Sequence, residues 1–533
     1  MSRDRLGQPS ANPPAAPGRR IETLVGPAAL IGANGMRWGP DGRLYVAQAF
    51  GGQVSAVDLT SGIAEVISGA GGAIVAPDDL AFDSHGNLFI TEVMSARVSA
   101  IRPNGKIEVI AGDVPVANGV TVHGDRIFMS EFNPEGRIWE LYADGSPPRL
   151  IASNLMMPNA LCLGPDGMLY FPLVPLGEVW RVALENGVPE KVVGGLDIPT
   201  AVKWDAAGRL FVVESGSGKV TRIDPATGRT SELARVAFGI DNLAFAPDGR
   251  MFVSHFTDGG VVEIAPDGQQ RQAVTGGLCG PFGMACDAAG KLVVADGMSF
   301  AMIDGAGTVE RPAMLLHHGF PGYVRGAAVA GDGAILSTNS AGQVTRFVPG
   351  SEAVALLEGL DQAMGLACAA DGTVIVCEAG AGRVLSIAPD GSVSTLASGL
   401  DRPTGVHVNA DGSAIVSEAG AGRVLHLTPG EQSVVLDGLS DPHGVTAANG
   451  TIYALDRGTG QLHAIAGDGS ANSVVATGLP VGAHSGMKIN VLPGIAGLMP
   501  GPLLPFADIA ALPDGRIAIG GDETGSLLTI AGL

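Results

Sequence analysis

A short turn-and-strand signature recurs twelve times along the chain, about 40 residues apart, and this constrains the fold more than any other feature. Clear copies are GPDGRLYVAQ from Gly39, GPDGMLYFPL from Gly164, DAAGRLFVVE from Asp205 and APDGRMFVSH from Ala246. Others start at Asp83, Asp287, Ala330, Ala369, Asn409 and Leu512, with weaker ones at Val122 and Ala447. Each unit holds four short runs; in the second these are DDLAFD, NLFITE, RVSAIR and IEVIAG. Asp-Gly and Asn-Gly pairs between such runs accept positive φ in tight hairpins, so the runs pair as antiparallel strands. Four strands per unit, repeated without helical periodicity, predict an all-β fold of tandem β-propellers with twelve four-stranded blades.

One ring usually holds about four to eight blades, so the twelve copies imply two six-bladed rings. The expected organisation is a disordered tail over 1–19, a first propeller over 20–275 with a boundary near Gly276, and a second propeller over 276–533. The last copy supplies only three strands, and a spare run, RRIETLVG from Arg19, precedes the first. Because an open blade edge invites stray pairing, residues 20–25 are expected to complete the last blade, bringing the termini side by side. An apolar, Pro- and Gly-rich insertion over 479–506 reads as a lid or as packing between the rings.

Composition narrows the partners. Hydrophobic residues are 46% and charged residues 16%, enough for a large core and unlike a disordered chain. The formal charge of −21 repels nucleic acid and anionic membranes, which leaves a small-molecule substrate. The five cysteines form no CxxC pair, which argues against a disulfide framework or zinc site. The N-terminus lacks the apolar run of a signal peptide, and no stretch of about 18 apolar residues occurs, so the expected compartment is the cytoplasm.

Chemistry is expected at the rim where each blade's first strand starts and its second ends. At the first-strand start, copies one to six carry Asn34, Asp78, Asn118, Asn159, Thr200 and Asp241. Copies seven to twelve carry Phe282, Arg325, Met364, Thr404, His443 and Ala507. Only the first ring aims carboxylate and amide oxygens at its axis, the donor set of a hard divalent cation: Ca2+ or Mg2+, with Zn2+ or Mn2+ as further options. Asn34, Asp78, Asn159 and Asp241 are the candidate ligands, with simple turn chemistry as the competing reading. At the second-strand end, Glu92, Glu131 and Glu214 are candidate substrate contacts, against the reading that they lock neighbouring blades together. His255 breaks that acidic pattern and, with Asp241, is a candidate catalytic group. The His317-His318 loop reads as surface, and Arg325 with His443 would suit an anion on the second axis.

The blades PNALCLGPDGMLYF from Pro158, GIDNLAFAPDGRMFV from Gly239 and GANGMRWGPDGRLYV from Gly32 resemble those of the gluconolactonase and regucalcin (senescence-marker) family. DSHGNLFITE from Asp83 is similar to virginiamycin B lyase and NHL-type repeats. The first resemblance implies a six-bladed ring with an axial divalent metal and lactone hydrolysis. Asn159 would be a ligand, Asp241 the acid and Asn118 a neighbour of the substrate. Asn34 stands where that family has a glutamate, and Thr200 where an acid is expected; Asp78 would compensate for the lost charge. The second resemblance implies a lyase in which His255 works with Glu214 or Glu92. The expected function is therefore divalent-metal-dependent hydrolysis of a lactone or related ester, with a lyase opening a cyclic ester or a non-enzymatic binding scaffold as alternatives.

Overall fold

The protein is described by a computed structural model covering residues 4–8, 13–144, 146–185, 187–467, 469–483, 487–488 and 490–533. Among the described residues, twelve antiparallel sheets have four strands each and one hairpin has two. In blade 2 the strands run outward as Pro77–Phe82, Leu88–Glu92, Arg97–Ile101 and Ile107–Ala111. The second strand is wholly buried, whereas the fourth exposes alternate residues, as a blade edge in solvent must.

Contacts between innermost strands close two rings of six. Met36–Trp38 of blade 1 touches both Pro77–Phe82 of blade 2 and Ile240–Phe245 of blade 6. Met284–Cys286 of blade 7 likewise touches Val324–Val329 of blade 8 and Ile509–Ala511 of blade 12. Each blade-to-blade seam has its own apolar filling, such as Phe89 and Val98 against Val120 and Met129. A hydroxyl on the second strand clasps the next blade: Ser130 Oγ donates to Asn159 O at 3.0 Å, and Ser254 Oγ to Asn34 O at 2.7 Å.

The acidic residues that end the second strands serve this scaffold. Glu92 accepts from the backbone N–H of Val75 at 2.7 Å and pairs with Arg97 Nε at 2.8 Å. Glu131 pairs with Arg137 and accepts from Trp139 Nε1; Glu214 accepts from Asp197 N–H and Thr221 Oγ1. The expected substrate role of Glu92, Glu131 and Glu214 is thus corrected: their oxygens are occupied within their own blades. Glu378 and Glu418 do the same in the second ring, on Asp361 N–H with Arg383 and on Asp401 N–H with Arg423.

Arg20–Val25 pairs antiparallel with Ser526–Ala531 and supplies the outer strand of blade 12. That strand belongs to the second ring, not with the first ring's 20–275. The described part of 1–19 is also anchored, contrary to a disordered tail. Buried Arg5 donates to the carbonyls of Leu278 (2.9 Å), Asp522 (2.8 Å) and Glu523 (3.1 Å), while its own carbonyl accepts from Gln53 Nε2 at 2.8 Å. Burial is possible because the guanidinium's fork of donors meets fixed carbonyls.

The insertion packs between the rings and plugs the second. Leu492 and Ile495 of its hairpin join Ala49, Ala76 and Val93 of the first ring. Arg325 Nη2 donates to Pro502 O at 2.8 Å and Nη1 to Ala363 O at 2.5 Å, and Phe506 is fully buried beside His443. His443 Nε2 lies 3.3 Å from Asp441, and its Nδ1 accepts from Ala507 N–H. The expected anion channel is thereby corrected: both terminal nitrogens of Arg325 and both ring nitrogens of His443 engage the chain itself. All five cysteines are free, and no helix among the described residues is long and apolar enough to cross a membrane.

Candidate functional site

The first strands of most blades contain a bulge at the rim. Pairing skips between Pro77 and Leu80, between Ala117 and Val120, and between Ile240 and Leu243. The skipped pairs are Asp78-Asp79, Asn118-Gly119 and Asp241-Asn242, and a bulge re-aims the unpaired residues. The residue before the skipped pair, or close to it, is left-handed, including Val116 (φ 53°) and Ile198 (φ 52°), which as β-branched residues resist that region. Gln362 (φ 56°) and Arg402 (φ 52°) repeat it in the second ring, so this turn is a blade device and not a mark of the site.

The six axial residues Asn34, Asp78, Asn118, Asn159, Thr200 and Asp241 all line one cavity of about 510 Å³. The second ring covers it with Met298, Met314, Leu315 and Tyr323, and the inserted hairpin adds Met499. Phe50 of blade 1 meets Phe282 and Tyr323 across the junction, with ring centroids 6.2 and 5.8 Å away. The rims of the two rings therefore face each other around a common space.

The two carboxylates are the site's chemical core. Neither Asp78 nor Asp241 receives a hydrogen bond among the described residues. Burial raises the carboxyl of Asp78 well above its ordinary range, and the charges of Asp241 and Asp79 push it further. Asp241 is raised to about 7, first by burial and then by Asp79, with Lys203 opposing. Two carboxylates in one recessed site do not both ionise freely, so near neutrality they favour sharing a proton or a cation.

Beneath them lies a tier that the first-strand pattern did not bring out. Asp79 accepts from Val120 N–H at 3.1 Å and from Asn242 Nδ2, two blades away across blade 1, at 3.3 Å. Lys203 Nζ lies 4.0 Å from Asp79, has no hydrogen-bond partner, and burial lowers it to about 8. The signal was in the chain: the residue after the axial one is Gly or Ala in blades 1, 3, 4 and 5, but Asp79 and Asn242 in blades 2 and 6. At Gly35 a Cβ would come within 2.5 Å of the Asp79 backbone, so a large side chain at this depth marks a place where the axis holds polar atoms.

The donor set suits a hard cation. The Oδ1 of buried Asn118 has no partner, and the Asp78 and Asp241 oxygens are free. Asn34 Oδ1 accepts from Ala49 N–H at 3.1 Å and Asn159 Oδ1 from Ala160 N–H at 2.7 Å, leaving each one lone pair. An oxygen-seeking ion such as Ca2+ or Mg2+ fits these atoms. Zn2+ fits poorly, because no His or Cys lines this cavity; no group of three or more His, Cys, Asp or Glu placed to hold a metal ion occurs among the described residues, so any cation here would rely on the amide oxygens as well.

His255 is corrected as a catalytic candidate. It is buried behind the rim, outside the cavity lining, and neither ring nitrogen has a hydrogen-bond partner. Burial lowers its basicity and holds it neutral. His317 and His318 touch only each other and their own loop's surroundings, beside the Leu316 that lines the cavity.

No protein-family model and no curated protein matches the chain. Among solved structures, a streptogramin B lyase is 19% identical and covered over 94% of its length, against 52% of this chain, with a TM-score of 0.39. Virginiamycin B lyase from Staphylococcus aureus is 16% identical, covered over 96% against 52% here, with a TM-score of 0.39. A gluconolactonase from Xanthomonas campestris is 19% identical, covered over 93% against 46% here, with a TM-score of 0.39. These likenesses concern the fold alone.

Proposed function

We propose that this protein is a divalent-cation-dependent hydrolase of a lactone or related ester, acting on the axis of the first ring. The observation that supports this reading is the pair of half-buried carboxylates, Asp78 and Asp241, facing one cavity, with no hydrogen bond donated to either carboxylate among the described residues. Asp78 and Asn118, with the remaining lone pairs of Asn34 and Asn159, would hold the ion. When bound, the ion polarises the ester carbonyl and makes water more acidic. Asp241, raised to about 7, takes a proton from the attacking water and returns it to the departing alkoxide as the acyl C–O bond breaks. The products are a carboxylic acid and an alcohol, joined in one hydroxy acid when the substrate is a lactone. The six oxygen-bearing residues orient the ester, and the second ring's cover narrows access to the cavity. A lyase using His255 loses support because that imidazole does not line the cavity.

The test is elemental analysis of the purified full chain, then a lactone screen with and without chelator. Asp241→Asn is expected to lower kcat by about 10²–10⁴-fold without lowering the melting temperature. Hydrolysis that persists in Asp241→Asn, or after exhaustive chelation, sinks the proposal; absence of any cation and any turnover leaves a binding scaffold.

A further inference from the structure

Five of the chain's 15 methionines line this one cavity: Met94, Met157, Met298, Met314 and Met499. They come from separate places: two first-ring rim loops, two loops of blade 7 and the inserted hairpin. Their convergence is not a by-product of blade packing, because the equivalent rim positions of other blades carry other residues. Methionine is unbranched and polarisable, and lines surfaces that must fit an irregular apolar guest. The oxygen-bearing groups of the first ring, by contrast, are the six axial residues with Asp197 and Ser215 beside them. Among the described residues of the second-ring cover the only polar side chain is Tyr323, itself 2% exposed. A guest carrying hydroxyls on every carbon would leave most of them unpaired against this cover, a penalty of the kind that makes buried polar groups selective.

We infer that the ligand of this cavity is an amphiphile: an ester or lactone group at the Asp78–Asp241 floor joined to a contiguous apolar body under the methionine cover. This rests on the hydrolase reading for the ester but on the cavity wall for the apolar body. The volume of about 510 Å³ lies within the range of about 300–1,000 Å³ usual for small-molecule sites. The second ring, which has no oxygen cluster of its own, thus contributes specificity.

The experiment is calorimetric titration of the full chain, held in chelator so that hydrolysis is off, with γ-butyrolactone, γ-hexalactone, γ-octalactone, γ-decalactone and glucono-δ-lactone. Affinity should rise about fourfold per added methylene and glucono-δ-lactone should bind weakest. Met314→Gln and Met157→Gln should each cut the gain from the longest tail about tenfold and leave γ-butyrolactone unchanged, with melting curves as the folding control. Met157, on the first ring, keeps the test open if the buried Met314 variant fails to fold. No binding, no gain per methylene, or a preference for glucono-δ-lactone overturns the inference, with or without turnover. A gain per methylene without hydrolysis once cation is restored upholds it and defeats the hydrolase reading instead.

Discussion

The two rings share a scaffold and differ in what their axial positions present. Both are built from four-stranded blades with a rim bulge, an acid-to-amide latch and a second-strand hydroxyl clasp. In the first ring the bulged position carries Asp78, Asn118 and Asp241, and the axis stays open as an oxygen-lined cavity. In the second it carries Arg325, Met364 and His443, and Phe506 with the Pro502 carbonyl fills the mouth. The blade therefore supplies a rigid frame that is indifferent to what its bulge presents; the bulged side chains and the inserted segment together decide between pocket and plug.

The comparison breaks most sharply at Phe506. Phe506→Ala should destabilise by about 3–5 kcal/mol, through lost burial and an unfilled hole in the second ring. Chemical denaturation should show that loss, while lactone hydrolysis at 25 °C changes little. A cost below about 1 kcal/mol would mean that the second axis is not filled by packing as described.

A smaller effect should separate the rings by pH. Asp508 is raised to about 7 by burial, against the hydrogen bonds it accepts from Met284 N–H (3.1 Å) and Ile509 N–H (2.9 Å). The folded state therefore binds its proton more tightly than the unfolded chain does. Its contribution is full below about pH 4 and is lost as pH rises to about 7, up to roughly 2–4 kcal/mol. Asp508→Asn should remove that share of the slope. Asp78 and Asp241 shift in the same direction, as does buried Asp296, so Asp78→Asn/Asp241→Asn should remove a further share of the slope.

The smallest difference should lie at the latch, where the rings are alike. Glu92→Gln and Glu378→Gln are each expected to cost about 1–3 kcal/mol by weakening bonds to Val75 and Arg97, or to Asp361 and Arg383. KM should not move in either. A rise in KM for Glu92→Gln alone would return that residue to the substrate.

Most of the architecture was legible because turns repeat at fixed spacing and apolar residues alternate between them, which fixes strands, blades and the three-stranded last copy awaiting a partner. The axial residues were legible for the same reason, since one alignment position maps to one rim. What sequence could not separate was direction. Glu92 and Asp78 lie on one rim, yet the strand pleat turns Glu92 back onto Arg97 and the bulge turns Asp78 into the cavity. His255 broke a pattern for want of a latch partner, not for chemistry. The methionine cover escaped notice because its members lie far apart in the chain and meet only when one ring faces the other.

The strand Arg20–Val25 carries a consequence for how the molecule is assembled. It lies in blade 12, and Val25 packs in one cluster with Leu278, where the chain re-enters blade 7. The first propeller is thus nested inside the second like a clause within a sentence, entered and left at adjacent points. A ribosome would finish the inner ring long before the outer one could close, and the oxygen-lined floor would wait for its ceiling until the final hairpin of the chain emerged.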